Sequence, residues 1–124
     1  MDDGRPLFIQ IAEAIEASIL DGSLAEDEQA PSTNELAAFH RVNPATAGKG
    51  LNLLVDRGIL LKRRGLGTFV APGAQQMVRN ERVEQFAQHY VDPLLDEARA
   101  IGLDTKAVLA MIRDRDASSS RRTI

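Results

Sequence analysis

Two helix-start signals lie close together in the first half of this chain, and they constrain its fold more than any other feature. Ser32 and Glu35 have the spacing of a capping box, in which the serine hydroxyl accepts from the Glu35 amide and the Glu35 carboxylate reaches back to Ser32. Asn43 and Pro44 combine a preferred N-cap residue with a proline at the first helical position. Two short helices joined by the four-residue turn 40–43 are typical of a helix-turn-helix.

The apolar residues around these signals repeat at helical spacing. Residues 6–20 form an amphipathic pattern that Gly22 is expected to end. The helix after Asn43 is expected to run to about Arg57 and to stop at Gly58, with polar and small residues on its exposed side. The expected buried residues are Leu36, Ala37 and Phe39 in the second helix and Ala47, Leu51, Leu54 and Val55 in the third.

After Gly58 the pattern changes from helical to strand-like. Two short apolar runs, 59–63 and 68–71, are joined by the glycine-bearing turn 64–67, which has basic residues at its shoulder. A hairpin in this place is the wing of a winged helix, and glycines at its tip let backbone amides approach a phosphate. The alternative is that these glycines serve only the turn.

The charges are unevenly distributed. The 124 residues have a formal net charge of −3, but residues 1–35 hold nine acidic residues and one basic one, whereas residues 36–72 hold six basic residues and one acidic one. A basic block beside an acidic one is expected where one face meets phosphate, so double-stranded DNA is the favoured partner. A solvated charge run without a partner is the alternative.

The rest of the chain has a helical pattern. Pro93 interrupts an apolar stripe, so we expect a kink or a restart there with Asp92 as a cap; Gly102 ends this helix and a second helix follows Asp104. A hairpin of about 40 residues cannot bury so wide a stripe by itself, and pairing with a second copy would cover it. One fused monomeric core is the alternative. The residues expected at a dimer contact are Val83, Phe86, Tyr90, Leu94, Leu95, Ala98, Val108, Met111 and Ile112.

These patterns predict a mainly α fold with a small β-hairpin, in which an N-terminal winged helix-turn-helix is followed by a C-terminal two-helix dimerisation segment. We place the winged helix-turn-helix at 1–72, a linker at 73–80, the helical dimerisation segment at 81–116 and a disordered tail at 117–124.

Several classes of protein are disfavoured by what the sequence lacks. It has no cysteine, no apolar run of 18 residues and no basic start of a signal peptide, so we expect a cytoplasmic protein without a disulfide framework. An enzyme is not expected, because the two histidines, His40 and His89, have no catalytic or metal-binding spacing. We expect no metal and no cofactor.

The ordered set of motifs in residues 6–70 resembles the GntR family of transcription regulators, and the short C-terminal segment resembles its YtrA-like branch. The matching residues are Pro6-Leu7-Phe8-Ile9-Gln10-Ile11, Ile19 with Gly22 and Leu24, Pro31-Ser32 with Glu35-Leu36-Ala37, Val42-Asn43-Pro44-Ala45-Thr46, Gly58-Ile59-Leu60 and Gly65-Leu66-Gly67-Thr68-Phe69-Val70.

This resemblance implies a homodimeric, DNA-binding repressor whose third helix enters the major groove of a palindromic operator and whose wing reaches the minor groove. A winged helix that binds protein instead of DNA is the alternative. The residues assigned to DNA binding are Ser32, Asn34, Asn43, Ala45, Thr46, Gly48, Lys49, Asn52, Arg64, Gly65, Leu66 and Gly67.

Three positions depart from the family pattern. Asn34 stands where an arginine usually contacts DNA, Gly48 stands where a basic residue is frequent, and Pro44 replaces an arginine of many members, as is normal for this branch. The resemblance also implies control of a transporter operon and an unidentified small-molecule effector. Such a ligand would lodge at the dimer interface or between the domains.

Overall fold

The computed structural model describes residues 4–122, with side chains through Ser119. They form two compact units, one up to Glu81 and one from Arg82 onward. The predicted fold class, mainly helical with one small hairpin, is confirmed. The elements in chain order are α1 (Leu7–Leu20), α2 (Thr33–His40), α3 (Pro44–Asp56), β1 (Leu60–Arg63), β2 (Gly67–Val70), α4 (Ala74–Phe86), a π-helical turn (Ala87–Val91), α5 (Asp92–Ala100) and α6 (Thr105–Arg122).

The helix ends of the first unit follow the local signals in the sequence. The capping box at Ser32 is formed with both of its hydrogen bonds, and the side chain of Asn43 caps α3. Gly22 and Gly58 have φ values of 85° and 77° after α1 and α3, in the left-handed region that favours glycine. The turn after α2 uses Arg41 in that region, with φ 56°.

The core of the first unit lies between α1 and α3, where the two helices make their closest packing. Ile11 and Ile19 of α1 and Leu54 of α3 are fully buried, and Leu36 and Ala37 bring α2 against them. The expectation that Phe39 belongs to this inner face is wrong, since 82% of the residue is exposed. The buried stripe of α2 continues four residues after Leu36 at half-buried His40, so Phe39 falls beside it and meets the His40 ring edge-on, with the ring centroids 5.0 Å apart.

An extended segment at 27–30 pairs with β2 and widens the hairpin, which the sequence did not predict. The Ala30 amide donates to the Thr68 carbonyl at 2.8 Å, and the Val70 amide donates to the Glu28 carbonyl at 2.9 Å. The segment is acidic and lacks the alternation of a strand, so its pairing depends on β2 rather than on its own pattern.

The linker expected at 73–80 is instead the first part of α4, and this expectation is wrong. Gly73, with φ 82°, makes the turn, and the helix begins at Ala74. Ala74 and Val78 are buried in the core of the first unit, and their spacing of four residues places them on one side of the helix. Gln75 and Gln76 face solvent between them, which gives the segment its linker-like composition.

The second unit has the restart expected at Pro93. Proline has no N–H to donate to the carbonyl four residues back, and the turn immediately before it is π-helical. The Asp92 amide donates to the Ala87 carbonyl, five residues earlier. Asp92 does not act as a side-chain cap, because the N-cap of α5 is Val91 and makes no side-chain hydrogen bond.

The last helix is longer than expected. The Asp104 carboxylate accepts from the Ala107 amide at 2.8 Å and caps α6. α6 then continues through Arg122, so the tail expected to be disordered from 117 is helical as far as the structure describes it, and 123–124 lie outside the described residues. Extending a helix costs less than nucleating one, which allows the serine run to continue α6. Among the described residues no helix is long and apolar enough to cross a membrane.

Candidate nucleic-acid interface

α3 presents one side to solvent because its other side is fixed in the core by Leu51 and Leu54. Asn43, which immediately precedes the helix, accepts from the Ala45 amide at 2.7 Å and so serves as its N-cap. The remaining predicted contact residues of α3 lie away from the core: Ala45, Lys49 and Asn52 are exposed, and Thr46 and Gly48 are half-buried.

The two glycines of α3 have different surroundings. A Cβ atom on Gly50 would lie 2.9 Å from the Phe8 carbonyl oxygen, so this glycine allows α1 and α3 to approach closely. A Cβ atom on Gly48 would lie 3.7 Å from the nearest Thr33 carbon, which is ordinary contact. Gly50 is therefore required by packing, whereas Gly48 leaves room for a side chain on the exposed side.

Lys49 lies at the edge of this exposed side, next to α1. Its Nζ atom is 4.3 Å from the centroid of the Phe8 ring, within the range of a cation–π contact. Phe8 is half-buried, whereas Lys49 remains exposed. This contact reduces the number of positions that the Lys49 ammonium occupies.

The start of α2 carries a negative charge. The Ser32 hydroxyl oxygen accepts from the Glu35 amide at 3.1 Å, and the Ser32 amide donates to the Glu35 carboxylate at 3.0 Å. The hydrogen bond from the Ser32 backbone amide, and to a smaller extent one from the Ser32 side chain, lower the pKa of the Glu35 carboxyl. Ser32 and Asn34, at the start of the same helix, are both exposed.

The predicted wing is formed by β1 and β2, which pair from Leu60–Val70 to Arg63–Gly67. The Leu66 amide closes the turn by donating to the Arg63 carbonyl at 2.9 Å. All four wing residues predicted to contact DNA are exposed, and the Leu66 side chain points an apolar group to solvent with 67% of the residue exposed. They are Arg64, Gly65, Leu66 and Gly67.

One member of the basic block is turned away from this surface. Arg57 pairs with Glu16 of α1 at 3.3 Å and makes a second ion pair with Glu81 of α4. Burial raises the pKa of the Glu16 carboxyl, and Arg57 opposes that rise. Arg57 therefore joins three helices of the first unit. The basic residues that remain exposed in the block are Arg41, Lys49, Lys62, Arg63 and Arg64.

Contacts at the base of the wing were missed by sequence reasoning. The Arg63 guanidinium lies 4.6 Å from the centroid of the Phe69 ring and 3.6 Å from the Asp27 carboxylate. The Gln29 amide nitrogen donates to the Leu66 carbonyl at 3.1 Å. Asp27 and Gln29 belong to the segment that pairs with β2, and only that unpredicted pairing brings them to the wing.

The residues predicted for dimerisation all lie in the second unit, and they differ in how far they are exposed. Ala98 and Val108 are buried within the unit, so the expectation that they face a second copy is wrong for these two. The rings of Phe86 and Tyr90 are 5.6 Å apart, and both residues are mostly exposed. Leu95 is half-buried, and the remaining exposed members are Val83, Leu94, Met111 and Ile112.

Two curated relatives resemble the chain over most of its length. The uncharacterized HTH-type transcriptional regulator YhcF of Bacillus subtilis is 27% identical over 109 residues, which are 88% of each chain. The HTH-type transcriptional repressor YtrA of the same organism is 24% identical over 109 residues, which are 88% of this chain and 83% of YtrA. The resemblance to the YtrA-like branch is thereby confirmed.

Solved structures give the same result for the fold. A putative transcriptional regulator of the GntR family from Bacteroides thetaiotaomicron superposes with a TM-score of 0.77 at 27% identity, over 91% of this chain and 98% of that one. The AraR DNA-binding domain in complex with operator ORR3 superposes with a TM-score of 0.53 at 34% identity, over 57% of this chain and 86% of that one. The winged helix-turn-helix prediction is confirmed.

The family model described as bacterial regulatory proteins, gntR family, matches residues 8–70. That range begins at Phe8, the second residue of α1, and ends at Val70, so it includes the rest of α1, the helix-turn-helix and the whole wing. The members of this family regulate transcription and are not enzymes. The chain belongs to the GntR family of bacterial regulatory proteins and is a DNA-binding transcription regulator.

Proposed function

We propose that the chain is a homodimeric transcription repressor that binds a palindromic operator and acts in the cytoplasm. The proposal depends on one observation: α3 is held in the core by Leu51 and Leu54, while Lys49 and Asn52 on its other side face solvent. A helix exposed in this way fits the major groove of B-DNA, which is about 12 Å wide.

The exposed residues of α3 provide three kinds of base contact. The Asn52 amide suits a bidentate contact with adenine, the Lys49 ammonium suits guanine or a phosphate, and the Ala45 methyl group suits the methyl group of thymine. Asn52 carries most of the sequence specificity in this proposal, because a bidentate contact discriminates between bases more strongly than a single point charge.

Phosphate contacts flank the base contacts. Amides in the first turn of α2, together with the hydroxyls of Ser32 and Thr46, are suitable donors to phosphate oxygens. The first turn of α3 contributes its hydroxyl rather than its amides, because Pro44 has no N–H and the Ala45 and Thr46 amides donate to Asn43. Asn34 lies in the first turn of α2 and adds a neutral donor where the family usually has a cation. The wing, with Arg64 at its shoulder and Gly65 at its tip, reaches the neighbouring minor groove.

A second copy of the chain completes the site. The second unit exposes Phe86, Tyr90 and Leu94, whose burial would stabilise a dimer by the hydrophobic effect. A two-fold dimer matches the symmetry of a palindromic site and would place two α3 helices in half-sites roughly 34–36 Å apart. Repression follows when the bound dimer blocks RNA polymerase. The likeness to YtrA-like regulators extends the proposal to control of a transporter operon and to release by a small-molecule effector.

Selection from random DNA tests the proposal, because the duplexes that bind reveal the operator sequence themselves. Purified chain is incubated with duplexes that contain 26 random base pairs, roughly two and a half helical turns, and the bound duplexes are amplified and sequenced over several rounds. We expect enrichment of an inverted repeat whose half-sites are about one turn apart, bound by two chains per duplex.

The variant Asn52→Ala serves as the control for base reading in this selection, and it is expected to lose the preference at one position of each half-site. Failure of the wild-type chain to enrich any sequence would contradict the proposal and favour a winged helix that binds protein.

A further inference from the structure

The side chain of Gln29 is joined to the tip of the wing. Its Nε2 atom donates to the carbonyl oxygen of Leu66 at 3.1 Å, across a sequence separation of 37 residues. The backbone beside it forms a bridge with Phe69 of β2. The contact therefore connects the extended segment 27–30 to the part of the hairpin that carries the predicted minor-groove residues.

Gly67 leaves the space that this contact requires. A Cβ atom at Gly67 would lie 2.5 Å from the Gln29 Nε2 atom, closer than such atoms approach each other. Gly67 also has a φ of 119°, in the region that favours glycine. A side chain at position 67 would therefore displace the amide end of Gln29 from its place beside Leu66 and would also require a strained backbone.

The same segment leads directly into α2. Ala30 donates to the Thr68 carbonyl at 2.8 Å, and the N-cap Ser32 follows two residues later. The start of α2 and the wing are therefore both attached to one short stretch of chain. Gln29 fixes the wing tip relative to the helix end that approaches phosphate.

We propose that Gln29 is a positioning residue for DNA recognition, which holds the Leu66 carbonyl so that Arg64 and the exposed Leu66 side chain meet the minor groove at a fixed distance from α2. Gln29 itself makes no contact with DNA in this proposal. An apolar side chain at a wing tip is suited to the minor groove, where apolar groups pack against or between base steps. The inference depends on the proposed function, because it concerns how the wing binds DNA.

The test compares two glutamines that make the same kind of hydrogen bond. Gln29→Met removes the donor and keeps an unbranched side chain of similar length. Gln75→Met is the matched control, since Gln75 is also exposed and its Nε2 atom donates to the Leu20 carbonyl at the same 3.1 Å, away from the wing. Thermal unfolding of both variants checks that any loss of stability is similar.

Two readouts separate the inference from the proposed function. Without DNA, ¹⁵N order parameters of the Leu66 and Gly67 amides are expected to fall from the rigid range near 0.85 toward 0.6 in Gln29→Met and to stay unchanged in Gln75→Met. With the duplex selected by the wild-type chain, Gln29→Met is expected to bind roughly three- to tenfold more weakly per wing, the range of one lost neutral hydrogen bond.

A double-mutant cycle tests whether the loss of DNA affinity in Gln29→Met is caused by a change at the wing. In an Arg64→Ala background, where the wing contact is already weakened, Gln29→Met is expected to cause a smaller loss of affinity than in the wild-type chain. Unchanged order parameters, equal affinities of the two glutamine variants, or an additive cycle would each overturn the inference while wild-type binding persists. Absence of binding by the wild-type chain would instead contradict the proposed function.

Discussion

The Nζ atom of Lys49 lies 4.3 Å from the centroid of the Phe8 ring, so a cation of α3 is supported by an aromatic side chain of α1. One residue later, Gly50 brings the two helices close enough that a Cβ atom would meet the Phe8 carbonyl oxygen at 2.9 Å. Phe8 therefore affects how closely α3 packs against α1 and where the Lys49 side chain lies. Packing and the candidate DNA surface are connected at this one residue.

Replacement of Lys49 by alanine is expected to weaken binding to the selected duplex. If its ammonium neutralises a phosphate, the slope of log K against log salt concentration becomes smaller by about 1, because fewer counterions are released. Fluorescence anisotropy titrations at several salt concentrations measure both quantities. Lys106→Ala, an exposed lysine of the second unit, is the control and should leave the slope unchanged. Identical titrations for the Lys49 variant and the wild-type chain would show that Lys49 does not contact the DNA.

Alanine at the two glycines of α3 is expected to have opposite effects on stability. Gly48→Ala should raise the free energy of unfolding by up to about 1 kcal/mol, because it improves helix propensity and meets no close contact. Gly50→Ala should lower it by about 1–3 kcal/mol, because the new methyl group pushes against the backbone of α1. Urea denaturation monitored by circular dichroism gives both values. Stabilisation of similar size in the two variants would contradict the close approach of α1 and α3.

A charge at Phe86 is expected to separate the dimer. Phe86→Asp places a carboxylate in the apolar surface that we assign to self-association, and burying an unpaired charge is costly. Sedimentation velocity should show a monomer, and affinity for the selected duplex should fall by roughly tenfold or more, because one chain spans only a half-site and the gain from bivalent binding is lost. Leu66→Asp changes a similarly exposed residue of the wing and should remain dimeric. An intact dimer of the Phe86 variant would show that the interface lies elsewhere.

The capping box of α2 is expected to be visible in the titration of Glu35. Hydrogen bonds from Ser32 lower the pKa of this carboxyl below 4.5, so the charged form stabilises the folded state above that pH and the contribution is lost as the pH falls through the lowered pKa. The effect on stability is small because Glu35 is exposed. Carboxyl-detected NMR should find a low pKa for Glu35 in the wild-type chain and a pKa raised part of the way toward its ordinary value in Ser32→Ala, because the backbone amide of residue 32 still donates to the carboxylate. Ser18→Ala is the control, and a Glu35 pKa that does not respond to Ser32→Ala would contradict the cap.

Much of the first unit could be predicted because its signals are local. The hydrogen bonds of Ser32 and Asn43 join residues two or three positions apart, and Gly58 ends α3 through its own φ. The side of α3 that faces solvent follows from the spacing of its buried leucines. These features need only the residues of one helix or turn, so the sequence contains all the information that determines them.

The contacts that the sequence did not predict join residues that are distant from each other in the chain. The Arg57 ion pairs with Glu16 and Glu81 require three helices to meet, and the contact of Gln29 with Leu66 requires an acidic segment to pair with β2. From the sequence alone Ala74 resembles a linker residue, because the core that buries it is formed by residues distant in the chain. Periodicity identifies faces of elements, but it does not identify which elements those faces meet.

An NMR titration shows whether the solvent side of α3 and the wing tip enter DNA together. Assigned amide signals of ¹⁵N-labelled chain are followed while the selected duplex is added. We expect the largest chemical-shift changes at residues 45–52 and 64–67, with smaller ones at the first turn of α2. Shifts that avoid α3, or that are confined to the second unit, would contradict this expectation.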